Sequence, residues 1–397
     1  MKKSGIERIV KEYWNTFFLS LIMIISLVSL ISGCEDQPSQ KPKTPLPDQK
    51  AVSPSTPNQH ASPPEQEIKN KKPVMLQINE AQFQRFVGWL DNRKLLYLSQ
   101  HGDQSQLFLY DLFKGTSTLL YSDAAPIVDV LTSPDNKMIM VHTAPFTYQA
   151  KLVFLDLQGE HLYSVDIDSF ELGYDWNNWD SEKLTVTAFD EEWNFQVYIL
   201  DWKQKKLQPI DSGQPLLKWF GKDILLAQDW QKDEQSLDAP IIKYSLQTLP
   251  QATLEKENVF QFNVLGHSLM TISEIKKDEA LYEFTDAEGN VLFSFSVPSI
   301  TQYSDWLVPY YDFNEETEDF LSFVPHESGA IDEYAGGYKL VDYNLQKKSS
   351  DVLFDQLDNE PLKCSPDGAM CLYGYQLEKL INVKTKEITE LLEPERK

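Results

Sequence analysis

Residues 130–165 read VLTSPDNKMIMVHTAPFTYQAKLVFLDLQGEHLYSV, and this stretch decides the fold. Its first half places the turn residues Ser-Pro-Asp-Asn between two apolar runs. Its second half alternates apolar residues up to Asp156, turns at Gly159 and alternates again. Alternation with a period of two indicates strands, and a turn between two such runs indicates a hairpin. The stretch therefore predicts two consecutive hairpins, which make four antiparallel strands.

The same pattern repeats along the chain from residue 74 onward. Its clearest marker is the residue that ends the third strand of each unit. LFLYD ends at Asp111, LVFLD at Asp156 and VYILD at Asp201, so these markers are 45 residues apart. Weaker markers follow at Ser245, Asp286, Asp342 and Asn382. The count gives seven units of about 43 residues each, which span 83–122, 127–167, 171–210, 214–255, 259–298, 302–354 and 358–392.

Four-stranded antiparallel units at this period are typical of a β-propeller, in which the units pack as blades around a central channel. The predicted fold class is therefore all-β, a β-propeller of four-stranded antiparallel blades, seven by count. The runner-up architecture is a pair of packed β-sandwiches, but two sandwiches would not explain so even a period.

An export signal precedes the repeats. Residues 1–16 carry a net positive charge and are followed by the apolar run FFLSLIMIISLVSLI at 17–31. As a helix this run would reach about 22 Å, which is short of the roughly 30 Å hydrocarbon core of a membrane. It therefore fits a signal peptide better than a membrane span. The alternative is an uncleaved single helix with a chance cysteine at position 34.

The four residues Ile31-Ser32-Gly33-Cys34 resemble the lipobox of bacterial lipoproteins. The resemblance implies a signal peptide over 1–33, cleavage before Cys34, and acyl chains such as palmitate on Cys34. Two or more acyl chains give stable membrane anchoring, where a single chain is marginal. The expected location is therefore the cell membrane, lipid-anchored on its extracytoplasmic face.

A proline-rich segment separates the lipid attachment residue from the repeats. Nine of the 39 residues in 35–73 are proline, and few are large and aliphatic. Such a composition cannot bury enough apolar surface to offset the entropy of ordering, so it predicts a disordered tether. The predicted organisation is a signal peptide over 1–33, a lipidated cysteine with its tether over 34–73, and a propeller over 74–397.

The SPDG turn at 365–368, with the apolar strand that follows it, resembles the propeller repeats of TolB and related proteins. Together with the lipobox and the proline-rich tether, it resembles the YqgU-like β-propeller lipoproteins of Gram-positive bacteria. That family is described as six-bladed, so six blades is the alternative to the seven counted here. These motifs are structural, so the resemblance implies architecture and no specific role.

Composition limits the partners. The chain has a net charge of −24 and 9 Trp, 18 Tyr and 21 Phe. An acidic surface repels nucleic-acid phosphates, so we expect no nucleic-acid partner. The charge would suit a cationic ligand, a metal ion or a basic protein patch better, but the preferred interpretation is that it only keeps an extracellular protein soluble.

No catalytic motif is found. Gly266-His267-Ser268 lacks the second glycine of a nucleophile elbow, and no phosphate loop or dinucleotide fingerprint is present. No Cys/His array has the spacing of a zinc site. Residues 312–319 alternate oxygen ligands as a calcium loop does, but they lack its glycine and its final acid, so a solvated acidic turn is the better interpretation. We therefore expect no catalytic residue, no cofactor and no metal.

The candidate binding residues lie on connections between the second and third strands of several units, which share one face of a propeller with the inter-blade connections. These connections are HTAPFTYQA at 142–150, FDEEWNFQ at 189–196, QDWQKDEQSLDAP at 228–240 and VPHESGAIDEYAGGY at 324–338. Exposed aromatics beside carboxylates suit a sugar or a basic protein segment. The alternative is that the aromatics fold back and the carboxylates only solvate the rim. The candidate ligand-binding residues are Trp193, Trp230, Asp190, Glu191, His326, Glu327, Asp332 and Tyr334.

Cys364 and Cys371 flank the last SPDG turn. If Asp367-Gly368 is a two-residue turn, Cys364 lies directly opposite Cys371, within disulfide range. An exported protein permits a disulfide, but the closed loop is short and a buried cysteine also serves as a small apolar residue. A disulfide and a pair of neighbouring thiols both remain open.

Two classes of function fit these observations. The first is a membrane-anchored, non-enzymatic lipoprotein whose propeller binds a protein or cell-envelope ligand. The alternative is a carboxylate-based hydrolase or lyase that acts on envelope polysaccharide. Carboxylates grouped at one channel mouth with raised pKa values would favour the enzyme. An exposed aromatic patch among spread acids would favour binding.

Overall fold

The computed structural model describes residues 72–231, 236–276, 278–302 and 305–393. Within these residues the chain forms strands and turns and no helix. In the described part of the chain, no helix therefore has the length and apolar character that crossing a membrane requires. Cys34, the predicted signal peptide and most of the predicted tether lie outside the described residues.

Seven four-stranded antiparallel sheets follow one another along the chain. Sheet 1 has β1 (Phe83–Trp89), β2 (Lys94–His101), β3 (Gln104–Asp111) and β4 (Thr116–Asp123). Sheet 2 has β5 (Ile127–Thr132), β6 (Met138–Phe146), β7 (Gln149–Asp156) and β8 (His161–Asp168). Sheet 3 has β9 (Glu171–Trp176), β10 (Lys183–Phe189), β11 (Phe195–Asp201) and β12 (Lys206–Ile210). Sheet 4 has β13 (Lys218–Trp219), β14 (Ile224–Gln228), β15 (Ala239–Ser245) and β16 (Ala252–Val259).

The last three sheets have the same order, with one small addition. Sheet 5 has β17 (Gln261–Leu265), β18 (Ser268–Lys276), β19 (Glu279–Thr285) and β20 (Val291–Pro298). The addition is a three-stranded sheet of β21 (Ile300–Gln302), β22 (Asp305–Leu307) and β25 (Gly329–Ala330). Sheet 6 has β23 (Tyr311–Asn314), β24 (Asp319–Pro325), β26 (Tyr338–Asn344) and β27 (Ser349–Leu357). Sheet 7 has β28 (Leu362–Cys364), β29 (Met370–Tyr373), β30 (Lys379–Asn382) and β31 (Glu387–Glu390).

The hydrophobic core consists of seven clusters, and each lies between two neighbouring sheets. Leu96 of sheet 1 packs with Val141 of sheet 2, and successive clusters join each sheet to the next as far as sheets 6 and 7. The seventh cluster joins Phe86 of sheet 1 to Leu380 of sheet 7. Each sheet therefore buries both of its faces against its neighbours, and the sheets form a closed ring of seven, as the repeat count predicts.

Each four-stranded sheet takes all its strands from one continuous part of the chain, so none of these sheets combines strands from the two ends. The ring is therefore closed by side-chain packing and a short β-bridge. Leu76, which precedes the first strand, forms an isolated parallel bridge with Leu392 after the last strand. Its amide donates to the Leu391 carbonyl at 2.6 Å, and Leu76 is 3% exposed. The two ends of the propeller thus meet at the interface between sheets 1 and 7.

The polar residue that ends each third strand caps the turn that follows it. The Asp111 carboxylate accepts the amides of Phe113 and Lys114, both at 3.1 Å. In sheet 6 this role belongs to Asn344, whose Oδ1 accepts the Lys347 amide at 2.6 Å, so the predicted marker at Asp342 is wrong. Asp342 and Asn344 are two residues apart and share one face of the strand, which is why the alternating pattern fitted either residue.

The ring has two faces, which differ in the turns that they carry. The connections between second and third strands and the connections between sheets form what we call the upper face. The other turns form the lower face. The connection predicted at 142–150 is shorter than expected, because β6 and β7 extend to leave a turn of Thr147 and Tyr148. Because the two strands are longer than expected, the aromatic residues of this hairpin lie at the upper edge of sheet 2.

Cys364 and Cys371 are directly opposed across the first hairpin of sheet 7, in the register that the sequence predicts. Their Cα atoms are 3.8 Å apart and their sulfurs are bonded. The Ser365 amide donates to the Met370 carbonyl at 2.7 Å, which continues the same pairing toward the turn. Of the two states left open by the sequence, the structure has the disulfide.

Candidate functional site

A five-residue turn on the upper face of sheet 3 joins β10 to β11. The Asp190 carboxylate accepts the amides of Glu192 and Asn194 at 3.0 and 2.8 Å. The Trp193 amide donates to the Asp190 carbonyl at 3.1 Å. Trp193 has a positive φ of 64°, in the left-handed region that side chains other than glycine rarely adopt. These bonds to Asp190 hold Trp193 in that conformation.

The same turn occurs twice on the lower face, after Asp156 and after Asp286. In each case the Asp carboxylate accepts the amides two and four residues later, and the amide three residues later donates to the Asp carbonyl. The left-handed position is Gly159 in one turn and Gly289 in the other, with φ of 87° and 83°. A left-handed residue with a side chain costs about 1 kcal/mol relative to glycine. Trp193 therefore occupies a position where two matching turns have glycine.

Trp193 belongs to a group of aromatic residues that spans sheets 2 and 3. Its ring lies 5.7 Å from that of buried Phe189, and the ring of exposed Phe195 lies 6.3 Å from the same Phe189 ring. On sheet 2, Phe146 is 73% exposed and Tyr148 is 56% exposed. Exposed Phe170, on the connection between the two sheets, has its ring 6.3 Å from Tyr148. We call Phe146, Tyr148, Phe170, Trp193 and Phe195 the aromatic patch.

The segments that carry the aromatic patch are rich in carboxylates. The segments 144–149, 168–171 and 189–196 contain five acidic residues and neither Lys nor Arg. The five acids are Asp168, Glu171, Asp190, Glu191 and Glu192. Interaction with the Glu191 carboxylate raises the pKa of Tyr148, which relates the sheet 3 turn to the sheet 2 hairpin. We call the five carboxylates the acidic rim.

The remaining predicted residues lie on the same face but on other sheets. Trp230 is half-buried on the connection from β14 to β15, beside Asp229, whose carboxylate accepts from Gln231 and Gln214. Asp233 and Glu234, which accompany Trp230 in the sequence, lie outside the described residues. The structure therefore brings Asp190, Glu191 and Trp193 together and leaves Trp230 on the neighbouring sheet 4.

The other four predicted residues lie on the connection from β24 to β26 in sheet 6. The Tyr334 hydroxyl accepts the His326 amide at 2.8 Å and donates to the Gly337 carbonyl at 2.6 Å. Its ring packs 5.5 Å from Tyr338, and the His326 ring nitrogen contacts the Asp355 carbonyl at 2.8 Å. Tyr334 and His326 thus fold back and hold the loop, whereas Glu327 and Asp332 remain exposed.

The first strands of the sheets carry a set of charged and polar side chains that the sequence analysis missed. Arg85 pairs with Asp129 at 3.2 Å, and Tyr174 donates its hydroxyl to the same carboxylate at 3.0 Å. Lys218 pairs with Asp175 at 2.8 Å. These contacts join sheet 1 to 2, sheet 2 to 3 and sheet 3 to 4.

Further around the ring, Lys363 of sheet 7 pairs with Asp312 of sheet 6 at 3.3 Å. Asn263 donates to the Tyr311 hydroxyl at 3.1 Å and so joins sheet 5 to sheet 6. The Asp312 carboxylate raises the pKa of Lys363, although more than half of that side chain remains accessible to water. Burial lowers the pKa of Lys218, but Asp175 more than offsets this effect and the net shift is upward.

We call Asp129, Asp175 and Asp312, which lie on first strands, the channel carboxylates. Each of them has a cationic partner. Carboxylates whose pKa is raised occur elsewhere and on separate elements. Burial raises the pKa of Glu171 at the start of β9, of Glu315 in the turn after β23 and, to about 6, of Asp342 within β26. Among the described residues, no group of three His, Cys, Asp or Glu could hold a metal ion.

The repeat period could have revealed the channel residues. Arg85, Asp129, Tyr174, Lys218 and Asn263 follow one another at steps of 44, 45, 44 and 45 residues. A polar residue that recurs at the repeat period within an apolar strand occupies the same place in each sheet. An alignment of the sequence repeats on this period therefore places these side chains around one axis.

Comparisons with known proteins agree with this architecture. A model of the YqgU-like 6-bladed beta propeller domain matches residues 111–374. The uncharacterized lipoprotein YqgU of Bacillus subtilis strain 168 is 26% identical over 307 residues, which cover 77% of this chain and 83% of that protein. The crystal structure of an uncharacterized protein of Listeria monocytogenes EGD-e has a TM-score of 0.76 and 25% identity, and the match covers 82% of this chain and 99% of that one.

A more distant match shows the fold alone. The β-propeller domain of the Trilobed protease from Pyrococcus furiosus, described as having an open velcro topology, has a TM-score of 0.51 and 11% identity, covering 79% of this chain and 98% of that one. The family description gives six blades, whereas the described residues here form seven four-stranded sheets. The matched range begins at the end of β3 and ends just after β29, so it contains sheets 2 to 6 whole and parts of sheets 1 and 7. With the family model matching most of its length, this chain belongs to the YqgU-like six-bladed beta-propeller domain family.

Proposed function

We propose that this protein is an extracytoplasmic lipoprotein, anchored to the cell membrane by lipid on Cys34, whose propeller binds a protein or cell-envelope ligand through its upper face. The lipobox-like Ile31-Ser32-Gly33-Cys34 supports the anchor, and so does the similarity to a Bacillus subtilis lipoprotein. The family and the fold do not name a ligand. The proposal for binding rests on the aromatic patch.

The observation that carries the proposal is the conformation and placement of Trp193. Backbone strain of this kind persists where the surrounding structure enforces it. Nine other non-glycine residues in the described part of the chain also have a positive φ, so the placement of Trp193 in the aromatic patch is what distinguishes it. Here a glycine would relieve the strain, as it does in the two matching turns on the lower face. Packing accounts for only part of the tryptophan, because Trp193 is half-buried against Phe189 while the rest of the patch is exposed. A role in recognition accounts for the rest, since a few residues dominate binding at interfaces and tryptophan is enriched among them.

The position of the described N-terminal residues leaves the patch accessible. The Val74 amide donates to the Leu112 carbonyl at 2.8 Å, and the Tyr110 hydroxyl donates to the Val74 carbonyl at 2.7 Å. Leu112 follows β3 and so lies on the lower face. Val74 is therefore held on the face opposite the patch. A ligand can approach the patch without displacing these described N-terminal residues.

The alternative, a hydrolase or lyase, has no specific observation in its favour. A carboxylate-based hydrolase needs a protonated acid and a second carboxylate across the bond that is cleaved, and a lyase needs a base within reach of the proton that it removes. The channel carboxylates are ion-paired, and the carboxylates with raised pKa lie on separate elements. Binding is therefore the better-supported function.

Photo-crosslinking on intact cells tests the proposal. A benzophenone amino acid replaces Phe146 in the patch, or Leu254 on the outermost strand β16 as the control. Leu254 is 58% exposed and lies away from the upper-face turns. We expect a discrete adduct from position 146 and none from position 254. No adduct from position 146, or the same adducts from both positions, would contradict a binding role for the upper face.

A further inference from the structure

We propose that the aromatic patch binds a basic segment of a protein, with Lys or Arg side chains over the acidic rim and apolar side chains against Trp193 and Phe146. This inference rests on the proposed function and specifies its ligand. Its elements are the charge of the rim and the exposure of four aromatic side chains around the half-buried Trp193.

Charge complementarity determines the class of partner. The three segments that form the patch contain five acids and no base, within a chain of net charge −24. A neutral glycan would use a few of these carboxylates as hydrogen-bond acceptors and would not neutralise their charge. A cationic segment gains from every one of them, both in the rate of encounter and in the choice of partner. The rim therefore favours Lys and Arg.

The aromatic side chains suit the same partner. Phe146 and Tyr148 rise from the hairpin of sheet 2, while Trp193 and Phe195 lie on the next sheet, with Phe170 between the two. Aromatic faces attract cations placed over them and also pack against the aliphatic stems of Lys and Arg. Three carboxylates precede Trp193 in the same tight turn, so acidic groups and a ring lie close together. A lysine or arginine could then contact a carboxylate with its head and a ring with its stem.

Peptide binding to the purified full chain tests this inference. The probes are three synthetic peptides of equal length that pair leucine with lysine, with serine or with glutamate. We expect the lysine peptide to bind most tightly, and its affinity to fall as salt is added, because the rim charges are exposed and screened by ions. The glutamate peptide should not bind.

Three variants assign the binding to the patch. Trp193→Gly should weaken lysine-peptide binding by about tenfold or more, as expected for an aromatic anchor. The double variant Glu191→Gln and Glu192→Gln should weaken it several-fold and reduce its dependence on salt. The control is Tyr375→Ala, which removes a 69% exposed aromatic from the upper face of sheet 7 and should leave binding unchanged.

Any of the following results would contradict the inference. Equal binding of the serine peptide would show that charge does not select the ligand, and binding unaffected by Trp193→Gly would place it elsewhere. Peptidoglycan fragments that outcompete the lysine peptide would make the ligand a glycan. If no peptide binds although position 146 still crosslinks on cells, this inference fails and the proposed function stands. If position 146 also fails to crosslink, the proposed function fails as well.

Discussion

Trp193 and Gly289 occupy the same position in two five-residue turns of the same geometry. Both have positive φ, 64° for Trp193 and 83° for Gly289, and both donate their amide to the carbonyl of an aspartate three residues earlier at 3.1 Å. One turn joins the second and third strands of sheet 3 on the upper face, and the other joins the third and fourth strands of sheet 5 on the lower face. The conformation is thus shared, and only the side chain differs.

Substituting Gly289→Trp should measure the backbone strain alone. A side chain at Gly289 would meet no atom within 4 Å of its Cβ, so the variant should lose about 1 kcal/mol of unfolding free energy, from the left-handed backbone alone. Urea unfolding gives the value. Gly159→Ala is the comparison, because its Cβ would approach the Leu120 carbonyl to 2.4 Å and should cost more. If Gly289→Trp leaves the unfolding free energy unchanged, a tryptophan at this turn position causes no strain, and the same conclusion would apply to Trp193.

Stability should depend on His142 in mildly acidic solution. His142 lies opposite Asp129 in the adjacent strand, with its ring 5.7 Å from Tyr174. Burial lowers the pKa of His142 from 6.5 to about 4, and Asp129 only partly opposes this shift. Because the unfolded chain takes up this proton first, stability is complete above pH 6.5 and falls as the pH drops toward 4. The loss is at most about 3 kcal/mol.

The variant His142→Gln isolates that contribution. It should lose less stability than the parent between pH 7 and pH 4, measured by urea unfolding at each pH. Asp342, whose pKa is raised to about 6, acts in the opposite direction in both proteins, so the difference between them reports His142. Parallel pH curves for the two proteins would show that His142 is not held neutral in the fold.

The disulfide between Cys364 and Cys371 should stabilise the last sheet. Its loop is short, so the constraint on the unfolded chain is worth about 2 kcal/mol. Mass spectrometry of a digest made without reductant should find the two cysteines joined. A reductant should then lower the unfolding free energy of the parent and leave the double variant Cys364→Ala and Cys371→Ala unchanged. Two free thiols in the exported protein would contradict this prediction.

The variant Cys34→Ala should abolish membrane retention without changing the melting temperature. Cys34 lies 38 residues before the described propeller begins, so the anchor and the folded core should be independent. Radioactive palmitate should label the parent and not the variant, which should leave the membrane fraction. Label that persists on the Cys34→Ala protein would contradict the predicted attachment site.

The sequence predicts the strands, the ring and the cysteine register because these depend on contacts between neighbouring strands. Alternation marks each strand, and a polar residue such as Asp111 marks the turn that follows. For sheet 6 the sequence predicts Asp342 as the polar residue that ends the third strand, and this prediction is wrong. Asp342 and Asn344 share a face of the strand, and only the hydrogen bond from the Lys347 amide shows that Asn344 caps the turn. Local pattern therefore determines the architecture to within about two residues.

The candidate site was predicted less completely because it depends on contacts between sheets. Asp190, Glu191 and Trp193 were recognised from composition. Phe170 was not, since it reaches the patch only through the packing of sheet 2 on sheet 3. The positive φ of Trp193 has no signature in its own segment. Aligning DEEWN at 190–194 with DAEGN at 286–290 would have shown a tryptophan in the place of a glycine.

The unfolding free energy of Trp193→Gly tests most directly whether the aromatic patch exists for recognition and not for packing. Glycine relieves the left-handed backbone and loses the ring contact between the half-buried Trp193 and Phe189, so we predict a stability within about 1 kcal/mol of the parent or above it. Truncating a large aromatic that is part of a packed core costs about 3–5 kcal/mol. A loss of that size would make Trp193 a core residue and contradict the account.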